Sequence, residues 1–357
     1  MQGVSASTQP LLSLDDAKRL GDLVYTAYGL TYHRSFMYEP EHLLDLNRRG
    51  QIRSVLAKDD SGTVVGHMAT IRPWFESIPN DIAALAPTSV EIGLSIVHPG
   101  HRGQKLQTAI GLACLMNEQQ ANPRLANIFA KCLTLHTHSQ KSARGMLGRA
   151  CALLLGSVPS WVNHENGERP EPMTTVVLQS PCKTDDQTLY VHPKHAELVQ
   201  TLLDSSVLPR AVAPVIDAPA LAGATRLSHW FEPSRRRGVV HVWEAGENLA
   251  RDVVHAVHWL VDGHMEHVTV LLPANEPGVI GVLPHLEEAG LFFGGFLPDL
   301  EGRDVLVMEF LAWDRLNVEG MSLLGDETKR LQESVVADWR RARGPLQALT
   351  GRALKAV

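Results

Sequence analysis

The segment SIVHPGHRGQKLQTAIGLACL, Ser95 to Leu115, carries the densest chemistry in the chain. An apolar run ends at a His-Pro break, a basic turn with Arg102, Gly103 and Lys105 follows, and an apolar helical pattern begins directly after it. A helix start points unsatisfied amides outward with partial positive charge, so such a turn suits an anion. Arg102 and Lys105 add cationic side chains, and Gly103 removes a Cβ where a phosphate would approach. Two readings follow: a cradle for a diphosphate, or an ordinary basic strand-to-helix turn. Earlier on the same strand lies Glu91, and alternation puts Glu91, Gly93, Ser95 and Val97 on one face. Later, LTLHTHSQKSA sets His136 and His138 at a strand-to-helix junction, with Ser139 as the expected N-cap. A carboxylate, and an imidazole that titrates near neutrality, are suited to carrying protons. His-x-His spacing on a strand also puts both rings on one face, but no further ligands cluster nearby and no metal is expected.

The elements that must position these groups can be read from periodicity and turn residues. SLDDAKRLGDLVYTAYGL predicts a helix capped by Ser13, and QIRSVLAKDDSGTVVGHMATIRPW predicts two antiparallel strands joined at DDSG. TSVEIGLSIV is a strand, QKLQTAIGLACLMNEQQA a buried helix, LANIFAKCLTL a strand, SQKSARGMLGR a short helix and ACALLLGSV a closing strand. This order argues a mixed α/β layer fold. The polar stretch PSWVNHENGERPEPM marks a domain boundary, giving 1–165, 171–318 and a helical tail at 319–357. TTVVLQS opens the second part, whose strands and helices echo the order of the first without a residue-level repeat. The tail helix, with charges on one side, packs either on the body or on a second subunit in a homodimer; packing on the body is expected.

Composition narrows the classes. At 357 residues two domains are the default, and a hydrophobic fraction of 44% supports real cores. A net charge of −6 gives no general reason to expect nucleic acid or an anionic membrane as partner. No signal peptide or bilayer-spanning run is present, so a cytoplasmic location is expected. Cys114, Cys132, Cys151 and Cys182 lack CxxC spacing and read as reduced thiols. The consecutive Arg235, Arg236 and Arg237 read as a solvated loop, with contact to an acidic substrate or partner as the lesser alternative.

VHPGHRGQKLQTAIG resembles motif A of the GCN5-related N-acetyltransferase (GNAT) superfamily, whose pattern after the strand is V-x-P-x-x-R-G-x-G-x-G/A. The resemblance extends over the element order of residues 13 to 160, and MLGRACALLLGSVP resembles the family's closing Leu-Gly-Phe and strand. It implies a GNAT-like α/β fold with a mixed sheet, followed by a second, degenerate copy lacking its own cofactor site, since EAGEN replaces the basic turn there. It implies acetyl-CoA or another acyl-CoA as cosubstrate and a small-molecule amine as acceptor, by direct attack. By position, Ser95, Ile96 and Val97 would face the pantetheine arm, while Gly103, Gln104, Lys105, Leu106, Gln107 and Thr108 would surround the diphosphate, with Arg102 leading in. Lys105 stands at the first motif glycine and Gln107 at the glycine-or-alanine position. Glu91 corresponds to the family's base, with His136 and Ser139 as further candidates; the position of the usual acid tyrosine is Arg144. A non-catalytic acyl-CoA sensor or scaffold is the rival reading.

Overall fold

The structure, a computed structural model, describes residues 7–32, 34–146, 148–162, 171–183, 185–313 and 316–353. Strand β1 (Ser7–Pro10) leads into α1 (Leu14–Tyr28), where Ser13 Oγ accepts the Asp16 amide at 3.1 Å as the expected cap. Helix α2 (Pro40–Arg48) begins on proline, whose missing N–H costs nothing there. Strands β2 (Ile52–Lys58) and β3 (Val64–Ile71) form the expected hairpin, and Asp59 Oδ1 holds its turn by accepting the Ser61 and Thr63 amides at 3.0 Å. A short α3 (Asn80–Ala83) precedes β4 (Ser89–Val97), α4 (Leu106–Ala121), β5 (Asn127–Leu133), α5 (His138–Gly145), β6 (Arg149–Val158) and β7 (Met173–Pro181). There follow β8 (Gln187–Val191), α6 (Pro193–Asp204), β9 (Arg210–Pro214), β10 (Arg226–Glu232), β11 (Arg237–Glu244) and α7 (Leu249–Asp262). The chain closes with β12 (His267–Pro273), α8 (Leu283–Glu288), β13 (Phe292–Leu300), β14 (Arg303–Leu311) and α9 (Asp326–Ala353).

Twelve strands make one mixed sheet in the order β1-β2-β3-β4-β5-β7-β6-β13-β14-β12-β11-β10, with β8 and β9 as a separate parallel pair. Read outward from the β6–β13 junction, β6-β7-β5-β4-β3 and β13-β14-β12-β11-β10 follow the same order. In both, a parallel pair (β4 with β5, β11 with β12) is joined by a crossover helix, α4 or α7. Strand β7, expected to open the second domain, instead pairs along β5 and β6. Pairing of the first half therefore runs through to Pro181; a boundary drawn from local composition misses this because strand insertion is a long-range event. Position 165 itself lies outside the described residues.

The largest apolar cluster crosses the junction, joining Phe129, Leu153 and Val177 to Phe293, Val307 and Met308. Leu331, Val335 and Trp339 of α9 are buried in it, so the tail helix packs on the body. Two smaller clusters cover the faces of the first half, one under α1 and α2, the other under α4. Polar contacts also cross between halves: Arg72 Nη2 meets Glu301 Oε2 at 2.7 Å, and Ser228 Oγ donates to the Ser77 carbonyl at 2.6 Å. Among the described residues no helix is long and apolar enough to cross a membrane.

Gly295 pairs with Ala152 at the junction, and its φ of +128° together with a Cβ position 2.4 Å from the Cys151 carbonyl oxygen forbids a side chain. Gly295→Val is expected to cost about 3 kcal/mol or more through backbone strain and overpacking. The control Gly223→Ala, at φ +79° with nothing within 4 Å, should cost about 1 kcal/mol. Urea unfolding midpoints measure both.

Candidate functional site

Strands β4 and β5 pair at only three positions, Ser89 with Asn127, Val90 with Ile128 and Glu91 with Phe129. Beyond them β4 stays with β3 while β5 stays with β7, and a cleft of about 930 Å³ opens between the diverging edges. A bulge at Leu94, with φ +53°, adds a residue to β4 between its pairings at Gly93 and Ile96. It reverses the faces: Val90 and Ile92 pack under α4, whereas Leu94 and Ile96 pack under α1 and α2. The expected single face for Glu91, Gly93, Ser95 and Val97 is therefore broken, and Val97 packs with the α4 cluster. Buried His67 fixes the bulge, its Nδ1 donating to the Leu94 carbonyl at 2.8 Å. Burial pushes that imidazole down to about 4, so it is neutral.

At the mouth, Gly103 (φ +78°) and Lys105 (φ +59°) turn the chain into α4. The first helical amides with backbone acceptors are those of Thr108 and Ala109, both on the Lys105 carbonyl at 3.1 and 3.2 Å. Among the described residues the amides of Gly103 to Gln107 donate to no backbone carbonyl. The space where a Gly103 Cβ would stand is empty, and Lys105 is exposed. Ser95, Ile96, Val97, Arg102, Gly103, Lys105, Leu106, Gln107 and Thr108 all line the cleft; Gln104 does not.

At the crotch of the fork, Glu91 Oε2 lies 2.6 Å from Lys131 Nζ, which also sits 4.2 Å above the Trp74 ring. Burial pushes the Glu91 carboxyl up, but Lys131, and then Arg34 and Arg237, outweigh it and hold it below the usual range. Burial pushes Lys131 down to about 8, against the pull of Glu91. Sequence reasoning missed Lys131, although a lone lysine inside the apolar strand ANIFAKCL was a readable signal. Tyr32 and Arg34, from the loop after α1, line the same end.

His136 and His138 are exposed, with ring centroids 5.2 Å apart, and both line the cleft rim. They do not share a strand face, because β5 ends at Leu133 and α5 starts at His138. Ser139 is not the helix cap: Thr137 holds that position without a side-chain bond, and the Ser139 hydroxyl is buried in the cleft wall. It adjoins the Cys132 thiol, which burial pushes up to about 12. Arg144 faces away from any chemistry, donating to the Leu324 carbonyl at 2.6 Å and to Thr328 Oγ1 at 3.0 Å, and pairing with Glu327. Gly148 is required sterically, since a Cβ would stand 2.7 Å from the Ala143 carbonyl oxygen.

The expected solvated arginine loop is corrected. Only Arg236 is solvated, its side chain 61% exposed; Arg235 and Arg237 are 6% and 5% exposed and line the cleft. The tight turn Pro233–Arg235 and the left-handed Arg236 (φ +48°) send the middle side chain out and its neighbours in. Among the described residues one metal-capable group, His195, Glu287 and Asp338, lies away from the cleft, and Lys194 and Arg341 already occupy its carboxylates.

No protein-family model matches the chain, and no curated protein matches it. Solved structures similar to it include a GNAT superfamily phosphinothricin acetyltransferase from Sinorhizobium meliloti in complex with AcCoA (15% identity, 50% of this chain and 88% of that one, TM-score 0.38). An N-acetyltransferase from Staphylococcus aureus Mu50 is 12% identical over 50% of this chain and 99% of its own, at a TM-score of 0.37. A ribosomal-protein-alanine N-acetyltransferase from Brucella melitensis is 16% identical over 49% of this chain and 99% of its own, also at 0.37.

Lys105→Gly should stabilise the protein by about 1 kcal/mol, because glycine adopts a left-handed backbone without strain; chemical denaturation measures it. The depressed Lys131 gives a second expectation. Its folded value near 8 lies below the unfolded 10.5, so the unfolded chain binds the extra proton between them. Stability should rise from pH 8 towards 10.5, and Lys131→Met should flatten that rise in denaturation curves taken across the range.

Proposed function

We propose that the chain is an acyl-CoA-dependent N-acyltransferase of GNAT type that moves an acetyl group to the amine of a small molecule. The observation that carries this reading is the fork itself: a slot between two strand edges, unused amides at one end and a buried proton-carrying pair at the other. The amides of Gly103 to Gln107, with Arg102 beside them, would take the diphosphate. The unpaired edge of β4 at Ser95 to Val97 would take the amide-bearing arm as an added strand does. Val97 lies six residues beyond Glu91, roughly 20 Å at strand rise, which brings the thioester to Glu91 and Lys131.

In the reaction the neutral amine nitrogen attacks the thioester carbonyl carbon. A C–N bond forms, the C–S bond breaks, and its electron pair leaves on sulfur. Glu91 accepts the proton lost by nitrogen, and the Lys131 ammonium protonates the departing thiolate. The 2.6 Å contact then returns the Glu91 proton to Lys131, so the pair ends as it began and the products are amide and thiol. His136, exposed at the rim, takes the proton of an incoming ammonium. Ser139 is the second donor within the cleft. No covalent enzyme intermediate is required.

The second half is a degenerate copy whose own opening is used internally. Its parallel strands pair over five positions, and the Trp243 carbonyl beyond them accepts from Arg303. The three buried free thiols fit a reducing, cytoplasmic setting.

Calorimetry with acetyl-CoA and thiol release over an amine panel test the reading. Glu91→Gln and Lys131→Met are expected to lower kcat about a hundredfold or more while acetyl-CoA affinity stays within about twofold. Wild-type activity should fall above pH 8 as Lys131 loses its proton, and Ser139→Ala should leave that limb in place. No affinity for any CoA species overturns the assignment. Tight binding without turnover would favour the sensor, a reading motivated by Arg144 at the acid position.

A further inference from the structure

Arg235 and Arg237 come from the second half yet line the base of the first half's cleft. Arg235 Nη1 reaches Glu232 at 3.3 Å, but its Nε is buried without a partner, as are Nε and Nη2 of Arg237. Unmet donors on a buried guanidinium are costly, and burial, followed by mutual repulsion with Arg34 and each other, pushes Arg235 down to about 9. Arg34 adds a third guanidinium, held 3.4 Å from Glu76 and 3.9 Å from Glu232. Among the described lining residues Glu91 is the sole carboxylate, and Lys131 already occupies it. Behind Arg237, Glu309 Oε2 lies 2.8 Å from His267 Nε2. Burial drives that carboxyl far up and that imidazole far down; Glu232, Glu91 and Glu309 attract Arg237 electrostatically, but its Nε and Nη2 remain without hydrogen-bond partners.

We infer that the acceptor amine carries an oxyanion, a carboxylate or a phosphate, and that Arg237, with Arg235 and Arg34, holds it beside Glu91. The inference rests on the acyltransferase reading and names its substrate class. The coenzyme diphosphate is not this anion, because the turn that would hold it lies roughly 20 Å along β4. Planar guanidinium groups with free parallel donors match an oxyanion in two-point fashion, which an ammonium does not. One other source of the same chemistry exists: a terminal carboxylate on the acyl group of the donor.

The full chain would be assayed with acetyl-CoA against matched amines: phosphoethanolamine with ethanolamine, glycine with glycinamide, and spermidine as polycation. Calorimetry would titrate phosphate and glycine into CoA-loaded protein. The anionic partner of each pair is expected to show at least tenfold higher kcat/KM. Arg237→Gln is expected to raise its KM tenfold or more, with acetyl-CoA affinity retained and the KM of the neutral partner raised by far less. Arg237→Gln should also melt at or above the wild type, since it removes buried donors that lack acceptors; if it fails to fold, Arg235→Gln carries the comparison. Preference for neutral or cationic amines overturns the inference. So does absence of both selective turnover and anion binding in CoA-loaded protein. If Arg237→Gln instead weakens succinyl-CoA and spares the acceptors, the anion belongs to the donor and the acceptor assignment falls. Failure of the acyltransferase reading is seen separately, as wild-type protein that shows no heat with acetyl-CoA.

Discussion

The site depends on one constraint: β4 and β5 part beyond Glu91 and Phe129, where β4 bulges and continues along β3 while β5 continues along β7. A parallel pair normally buries its backbone groups along its full length. Here the bulge at Leu94 turns β4 towards α1 and α2, while β7 holds β5 in place. The divergence leaves backbone edges bare, and a ligand with amide groups of its own can restore the missing pairing. It also leaves a wedge at the crotch that two side chains fill. Glu91, at the last paired position, and Lys131, two residues beyond it, close on each other there.

Burying charge is expensive, and this cleft buries a great deal of it. The Glu91–Lys131 contact outweighs the desolvation of Glu91 and offsets part of that of Lys131, and Arg34 is divided between two glutamates. Arg235 and Arg237 are less well served. Their position is imposed by the sheet, whose β10 and β11 return to the first half and touch it near Ser77. A buried polar group without a partner marks either strain or a binding role. With the donors lining a cleft, the binding role is the one that chemistry supports.

The two halves are joined by a continuous sheet as well as by surface contacts. Gly295 against Ala152 lets β13 approach β6, and the largest core runs through that junction. Relative motion of the halves would break this core, so the arginines are held at a fixed distance from the fork. A site assembled across such a seam keeps its geometry without depending on a mobile loop.

Local physics made part of this legible in the residues alone. Ser13 as cap, Asp59 in its hairpin turn, the helix after Gly103 and the anion-suited amides all follow from interactions within a few residues. The resemblance to motif A, not local alternation, pointed to Glu91, which lines the cleft together with most of the turn. The reversal of faces at Leu94, the insertion of β7 between β5 and β6, and the inward course of Arg235 and Arg237 do not follow from such local interactions. Each depends on which distant strand supplies the hydrogen bonds, and periodicity along a chain carries no record of its partner. Local pattern therefore established a mixed α/β fold and a strand-to-helix turn whose amides suit an anion. Long-range pairing alone decided which charges meet in the cleft, because the cost of burying them depends on their neighbours in space.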